Sequence, residues 1–222
     1  MIKCGRGAHK PSRPHKKAGM ARRQDVQYSF YAFISRMKNI NRWALMRNSS
    51  AENIQEHSHM VAVLAHGLAV IGRDIFGKKT DPDKAASAAL FHDATEIITG
   101  DMPTPVKYYS RSINLAYKEV ERLAAENLLA TLPDEMRPEY EKLVRGYDGD
   151  TGRYVKAADT LAAYIKCVEE LRAGNNEFAL AARQTREKLE KMDMEEIRYF
   201  MQHFMQPFEL TLDELNSNNT ML

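Results

Sequence analysis

A chain of 222 residues, 44% hydrophobic and 28% charged, is long enough to bury a sizeable core in one globular domain, which excludes a wholly disordered protein. No apolar run is long enough to span a bilayer, and the N-terminus lacks the apolar stretch of a secretory signal. Two cysteines, Cys4 and Cys167, make no disulfide framework and fit a reducing, cytoplasmic setting.

The net charge of +2 is unevenly spread. Residues 1–23 carry eight basic side chains and no acid, which leaves −6 for the remainder. Residues 1–24 therefore read as a basic, disordered extension, or as an upstream start ahead of a beginning near Met20, rather than as a nucleic-acid-binding arm. The acidic body argues against a nucleic-acid surface. The single domain is expected over 25–214, with 215–222 as a polar tail.

The first helix is predicted over Tyr28–Met37 from apolar residues at 30, 33, 34 and 37. Arg42 and Trp43, the only Trp, fall in the connection that follows. A capping pattern, Asn53 with Glu56, opens the next helix, which runs to about Phe76 and stops at Gly77. Its buried stripe is His57, Val61, Leu64, Leu68, Ile71 and Ile75, which puts one imidazole on a core position. His59 and His66 face elsewhere.

Asp81-Pro82-Asp83 caps a third helix, expected to continue to Gly100. Its last turns, Leu90-Phe91-His92-Asp93-Ala94-Thr95-Glu96, place His92, Asp93 and Glu96 on one face, since Glu96 follows His92 by four residues and Asp93 by three. Ala88, Ala89, Leu90, Ile97 and Ile98 mark this helix as core-packed, so charged groups there need a partner to offset desolvation. Asp101 to Lys107 contains two prolines and is expected to be a stiff loop, either solvated or lining a pocket.

An amphipathic helix follows from Ile113 to about Thr131, with apolar positions 113, 116, 120, 123 and 124. A short helix starts at Pro133, and Arg145–Asp150 reads as a turn. The helix from Tyr154 closes at Gly174 and carries Asp159 on its apolar stripe with Val155, Ala158, Ala162 and Ile165, where a lone carboxylate is costly. Two helices broken near Met192-Asp193 complete the body, and their Met and Phe stripe reads as core or subunit interface. No strand signal, repeat or phosphate-binding glycine loop is found.

Together His57, His92, Asp93 and Asp159 make a mixed nitrogen and oxygen donor set from three helices, suited to a divalent transition metal such as Mn, Co, Ni, Fe or Zn. Such an ion generates hydroxide near neutral pH and polarises a phosphoryl oxygen. Glu96, one turn on, can take the water's proton or give one to the leaving oxygen.

This H…HD…D pattern resembles the HD-domain phosphohydrolases, and more closely the bacterial HD-domain 5'-deoxynucleotidases. The matching segments are Asn41-Arg42-Trp43 with Leu45–Asn48, Glu56-His57-Ser58, His92-Asp93 with Glu96, Thr99-Gly100-Asp101 with Pro103–Lys107, Ala158-Asp159 and Gly174–Phe178. The resemblance implies an all-α HD-domain helical bundle and a divalent metal (Co, Mn or similar) held by His57, His92, Asp93 and Asp159. It implies hydrolysis of deoxyribonucleoside 5'-monophosphates by a homodimer, with Glu96 and Arg42 catalytic. Substrate contacts are implied for Arg42, Trp43, His57, Asp93, Asp101, Met102, Pro103, Thr104 and Asp159. The resemblance points to no nucleic-acid or membrane partner. Two alternatives stay open: another HD phosphohydrolase acting on triphosphates, cyclic nucleotides or guanosine polyphosphates, and a non-catalytic nucleotide sensor.

Overall fold

In the computed structural model, residues 26–107 and 109–218 are described, so the expectations for the basic segment 1–24 lie outside the described residues. The chain opens with α1 (Phe30–Ile34) and a 3-10 turn, Ser35–Asn39. The expected first helix is thus present but changes type midway.

Residues 40–53 form the connection carrying Arg42 and Trp43. It is closed at its base by an antiparallel bridge between Asn41 and Asn53. Ile54 N donates to Ile40 O, and Arg42 N to Glu52 O, both at 2.9 Å. That bridge is the one piece of extended pairing among the described residues, and it sets Arg42 beside Glu52.

Helix α2 (Ile54–Val70) starts as its sequence requires. Asn53 accepts from Gln55 N and Glu56 N, while Glu56 reaches back to the Asn53 amide. The helix passes into a π-helical turn, Ile71–Ile75. The wider turn breaks the 3.6-residue phase, so Ile75 rotates out to 53% exposure although the periodicity had placed it inside. The missing side chain of Gly72 makes room for Tyr154, since a Cβ there would lie 2.3 Å from its hydroxyl.

Helix α3 (Pro82–Leu90) is capped by Asp81, which accepts from Lys84 N. It ends nine residues short of Gly100, contrary to the expected continuous helix. Residues 91–95 form tight turns, with Phe91 N donating to Ala88 O, His92 N to Ala89 O and Glu96 N to Asp93 O. Helix α4 (Glu96–Thr99) then runs to Gly100, whose φ of +72° ends it. The break leaves Leu90 and Ile98 exposed, so this stretch is less core-packed than its composition implies.

Residues 101–107 also differ from expectation. The second half is a one-turn helix, α5 (Thr104–Lys107), because Pro105 falls in the first turn, where no amide donor is needed. Helix α6 (Arg111–Leu129) buries Tyr117, Ala124, Ala125 and Leu128. Ile113, Val120 and Leu123 of its predicted apolar stripe face outward. After α7 (Arg137–Arg145), α8 (Gly149–Arg172) begins five residues earlier than predicted, within the expected turn. Helices α9 (Ala179–Lys191) and α10 (Glu195–His203) break at Asp193, whose φ is +48°. Helix α11 (Leu212–Asn218) crosses the expected start of the polar tail.

The main core joins α2, α3, α8 and α10 through Val61, Leu64, Leu68, Leu161, Ile165, Ile197 and Phe200. Each fully buried Leu or Ile contributes about 1.5–3 kcal/mol. Ala65, Ala69, Ala85, Ala89, Ala157 and Ala158 lie in the same core, all almost without exposure. Small side chains let the three helix axes approach closely, which allows groups on α2, α8 and the turn after α3 to converge. A second cluster around Phe30, Ala94, Leu128 and Leu132 anchors that turn through Ala94. Among the described residues no helix is long and apolar enough to cross a membrane.

Candidate active site

His57 is completely buried on the first turn of α2, His92 sits in the turn after α3, and Asp159 lies on α8. Each offers one ligand atom, and the three atoms all lie within 4.8 Å of one another. Asp93 is beside them. Its Oδ2 is 3.1 Å from His92 Nε2 and 3.7 Å from His57 Nε2.

The local folding explains the imidazole of His92. Where the helical ladder gives way, Ala89 O is within 2.7 Å of His92 Nδ1. A carbonyl only accepts, so Nδ1 carries the proton and Nε2 presents a bare lone pair in the neutral ring. That Nε2 is buried and has no hydrogen-bond partner among the described residues, and the same holds for Glu96 Oε2. Burial lowers the His92 pKa, but the Asp93 carboxylate 3.1 Å from Nε2 outweighs it and raises the group above the ordinary imidazole value, so the ring pairs with Asp93 when it is protonated.

His57 has the opposite tautomer. Arg42 Nη1, which can only donate, is 2.7 Å from Nδ1. The proton therefore sits on Nε2, which donates to Asp159 Oδ1 at 3.2 Å. The other Asp159 oxygen accepts from Lys156 Nζ at 2.7 Å.

The residues present fit a divalent cation. Two imidazoles and two carboxylates converge, and one ring nitrogen is buried without a hydrogen-bond partner. Ligation through His57 Nε2 requires the proton to move to Nδ1 and Arg42 Nη1, which lies 2.7 Å from Nδ1, to withdraw.

The electrostatics divide the acids. Burial favours the neutral form of Asp159, but the His57 hydrogen bond and Lys156 outweigh it and hold the group well below the usual carboxylate range. Asp93 is likewise lowered, burial being outweighed by His92. Glu96 goes the other way: burial, with Asp93 and Asp101 nearby, pushes it up to about 9. At neutral pH it is a proton donor.

Arg42 and Trp43 are held by one carboxylate that the sequence reading did not single out. Glu52 Oε2 accepts from Arg42 Nη1 at 2.8 Å and from Trp43 Nε1 at 3.1 Å. The Trp43 ring packs against Phe178 at 5.3 Å between centroids. Asp101 joins this group, with burial raising its pKa and Arg42 and the Trp43 main-chain amide acting against that rise. Met102 and Pro103 are half-buried, and Pro103 O accepts from Val106 N and Lys107 N to start α5. They make no recorded contact with the ligand cluster, and the Thr104 side chain lies outside the described residues.

Two site residues were missed. Lys156 had a legible signal, because it precedes Asp159 by three on one helix. Glu52 had none, because it meets Arg42 across a loop whose closure no periodicity reports.

Residues 29–208 match the family model described as 5'-deoxynucleotidase YfbR-like. A 5'-deoxynucleotidase of Cronobacter sakazakii is 45% identical over 195 residues, spanning 87% of this chain and 98% of its own length. The 5'-deoxynucleotidase YfbR of Escherichia coli is 44% identical over the same shares. Among solved structures, an HD-domain phosphohydrolase from Listeria innocua matches with a TM-score of 0.72 at 22% identity, over 86% of this chain and 96% of that one. The cyanophage S-2L HD phosphohydrolase, solved with dA and one catalytic Zn2+ ion, matches with a TM-score of 0.54 at 21% identity, over 82% and 99%. At those identities the solved structures establish the shared fold.

Proposed function

We infer the activity from the premise that the chain belongs to the YfbR-like 5'-deoxynucleotidase family. It is a metal-dependent phosphomonoesterase that hydrolyses 2'-deoxyribonucleoside 5'-monophosphates to deoxyribonucleosides and phosphate. The observation that carries the local assignment is the convergence of His57, His92 and Asp159, with His92 Nε2 buried and unpaired.

In this reading His57, His92, Asp93 and Asp159 hold a transition metal such as Co or Mn. The ion supplies an activated water and a polarised phosphoryl oxygen when bound. Glu96, whose burial favours the protonated acid, gives its proton to the 5' oxygen as the phosphoester bond breaks. Arg42 keeps its charge, since Glu52, Asp159 and Asp93 more than offset the effect of burial. Its Nη1 is engaged by Glu52 and His57, which leaves Nε and Nη2 to bind two phosphate oxygens side by side.

Trp43 selects the sugar. Its rigid ring, fixed by Glu52 and Phe178, excludes a 2'-hydroxyl or leaves it desolvated without a partner. The same reading gives Asp101, Met102, Pro103 and Thr104 the remaining substrate contacts.

The working unit is a homodimer, a reading supported by the outward apolar side chains Ile113, Val120 and Leu123 on α6. A panel of deoxy- and ribonucleoside monophosphates, triphosphates, cyclic nucleotides and guanosine polyphosphates, scored for phosphate release, tests the activity. Turnover of deoxynucleoside monophosphates well above all others is expected. Preference for a triphosphate or cyclic nucleotide would overturn it.

A further inference from the structure

The Gly174–Phe178 segment takes no part in the chemistry above, yet it is tied to the loop that carries Trp43. Trp43 has a φ of +58°, a left-handed conformation that a bulky side chain rarely adopts and that persists only where the surroundings over-determine it. Part of that determination is local. Trp43 O accepts from Met46 N at 2.9 Å and from Asn48 Nδ2 at 3.3 Å.

The rest comes from more than a hundred residues away along the chain. Ser49 N and Oγ donate to Glu170 Oε2 at 2.8 and 2.7 Å, and Ser50 N donates to Glu170 Oε1 at 3.3 Å. Asn175 Nδ2 bridges Arg47 O at 2.7 Å and Glu170 Oε2 at 2.8 Å. Glu177 accepts from Arg47 N and Nε. Phe178, fully buried, is the surface on which the indole rests. Glu170 is itself fully buried, and its charge is balanced by Lys166, whose Nζ also donates to Ser50 O at 2.6 Å. A buried carboxylate with this many donors fixes the main chain it binds far more rigidly than a solvated turn.

We propose that Glu170, Asn175 and Phe178 are positioning residues that hold Trp43 in its left-handed conformation and so set the preference for deoxyribose over ribose. The role rests on Trp43 being the sugar discriminator. Their hydrogen bonds and ring contact run to Arg47, Ser49, Ser50, Lys166 and Trp43, so they act on the ring's position and not on the reacting atoms.

The single Trp of the chain makes the proposal measurable without activity, because its fluorescence reports this loop alone. Asn175→Ala has no recorded contact with the indole, so a change in Trp43 emission must pass through the loop. In the metal-loaded full-length protein, Asn175→Ala and Phe178→Leu are expected to shift the emission to longer wavelength and raise its quenching by acrylamide. Metal content and far-ultraviolet circular dichroism should stay at wild-type values. The ratio of kcat/KM for a deoxynucleoside over a ribonucleoside monophosphate should fall about 3- to 10-fold, the scale of one or two lost hydrogen bonds.

Unchanged emission and quenching in both variants would overturn the proposal. So would a moved Trp43 signal with an intact ratio while Trp43→Ala narrows that ratio. A ratio that stays wide in Trp43→Ala as well would show that the discriminator reading failed, and the sugar role falls with it. Should Phe178→Leu not fold, Asn175→Ala carries the same test.

Discussion

Two of the polar clusters buried among the described residues are completed differently. Around Glu170, both carboxylate oxygens, the Lys166 ammonium and the Ser49, Ser50 and Asn175 donors all find partners within the protein. Around His92 the ligand atoms of three residues converge, yet His92 Nε2 and Glu96 Oε2 stay unpaired. A buried polar group left without a partner costs about 1–3 kcal/mol, so the second cluster is built for something that arrives from outside. An unpaired atom by itself does not mark such a place. Glu196 Oε2 is also unpaired, but its other oxygen takes Tyr154 and Lys78, and among the described residues it belongs to no group of converging ligand atoms.

The comparison predicts a double dissociation: changes in the incomplete cluster remove activity and spare the fold, and changes in the complete one lower stability and sugar preference while largely sparing turnover of deoxynucleotides. The largest effect is expected from chelation. Stripping the protein of divalent ions should abolish phosphate release while the melting temperature falls only by the linkage of the lost ion, and Mn or Co should restore it. Persistent full activity after exhaustive chelation would dissolve the contrast.

Next in size is Glu96→Gln, which keeps the shape and removes the acid. Turnover should fall about 10²–10⁴-fold with metal content unchanged. Loss of metal in parallel would make Glu96 a ligand.

Glu170→Gln should do the opposite. Removing one partner of a buried pair costs about 3–5 kcal/mol, read as a lower melting temperature, and the metal-dependent rate on deoxynucleotides should change far less. The pH dependence follows from its pKa. Burial would raise it, but Lys166, Ser49 and Asn175 hold it well below the usual carboxylate range. A depressed folded pKa contributes stability that is present above the unfolded value of about 4.3 and is lost as pH falls below it. The stability gap between wild type and Glu170→Gln should therefore be constant near neutrality and shrink in acid. A gap that widens in acid would contradict the pairing.

How much of this was legible in the sequence follows the same division. His57 and Asp159 lie on helices whose apolar periods are local, so their core-facing positions were readable from spacing, while their meeting with His92 at one point was what the resemblance implied. The turn at 91–95 was not readable. Its composition suits a helix, and the break comes from tertiary contacts at Ala94 and from the His92 bond to Ala89 O. Glu52 and Glu170 were invisible for a related reason, since each meets its partners across loops and no period connects residues 42 and 52 or 49 and 170. The π-helical turn likewise shifted Ile75 out of a stripe that simple helical arithmetic had continued.

The smallest effect concerns the basic N-terminal segment, which carries no member of either cluster. Deleting residues 1–23 is expected to leave kcat and KM unchanged at physiological salt. A large fall in kcat/KM would place that segment over the active site.

The central claim is that His57, His92, Asp93 and Asp159 hold the catalytic ion in a cluster whose fold does not depend on it. Metal bound per chain, measured by elemental analysis on wild type, His92→Ala and Asp159→Ala after identical loading, tests this most directly. The account predicts a sharp loss of metal and of deoxynucleotide hydrolysis in both variants, with native circular dichroism. Wild-type metal content in both inactive variants would contradict it.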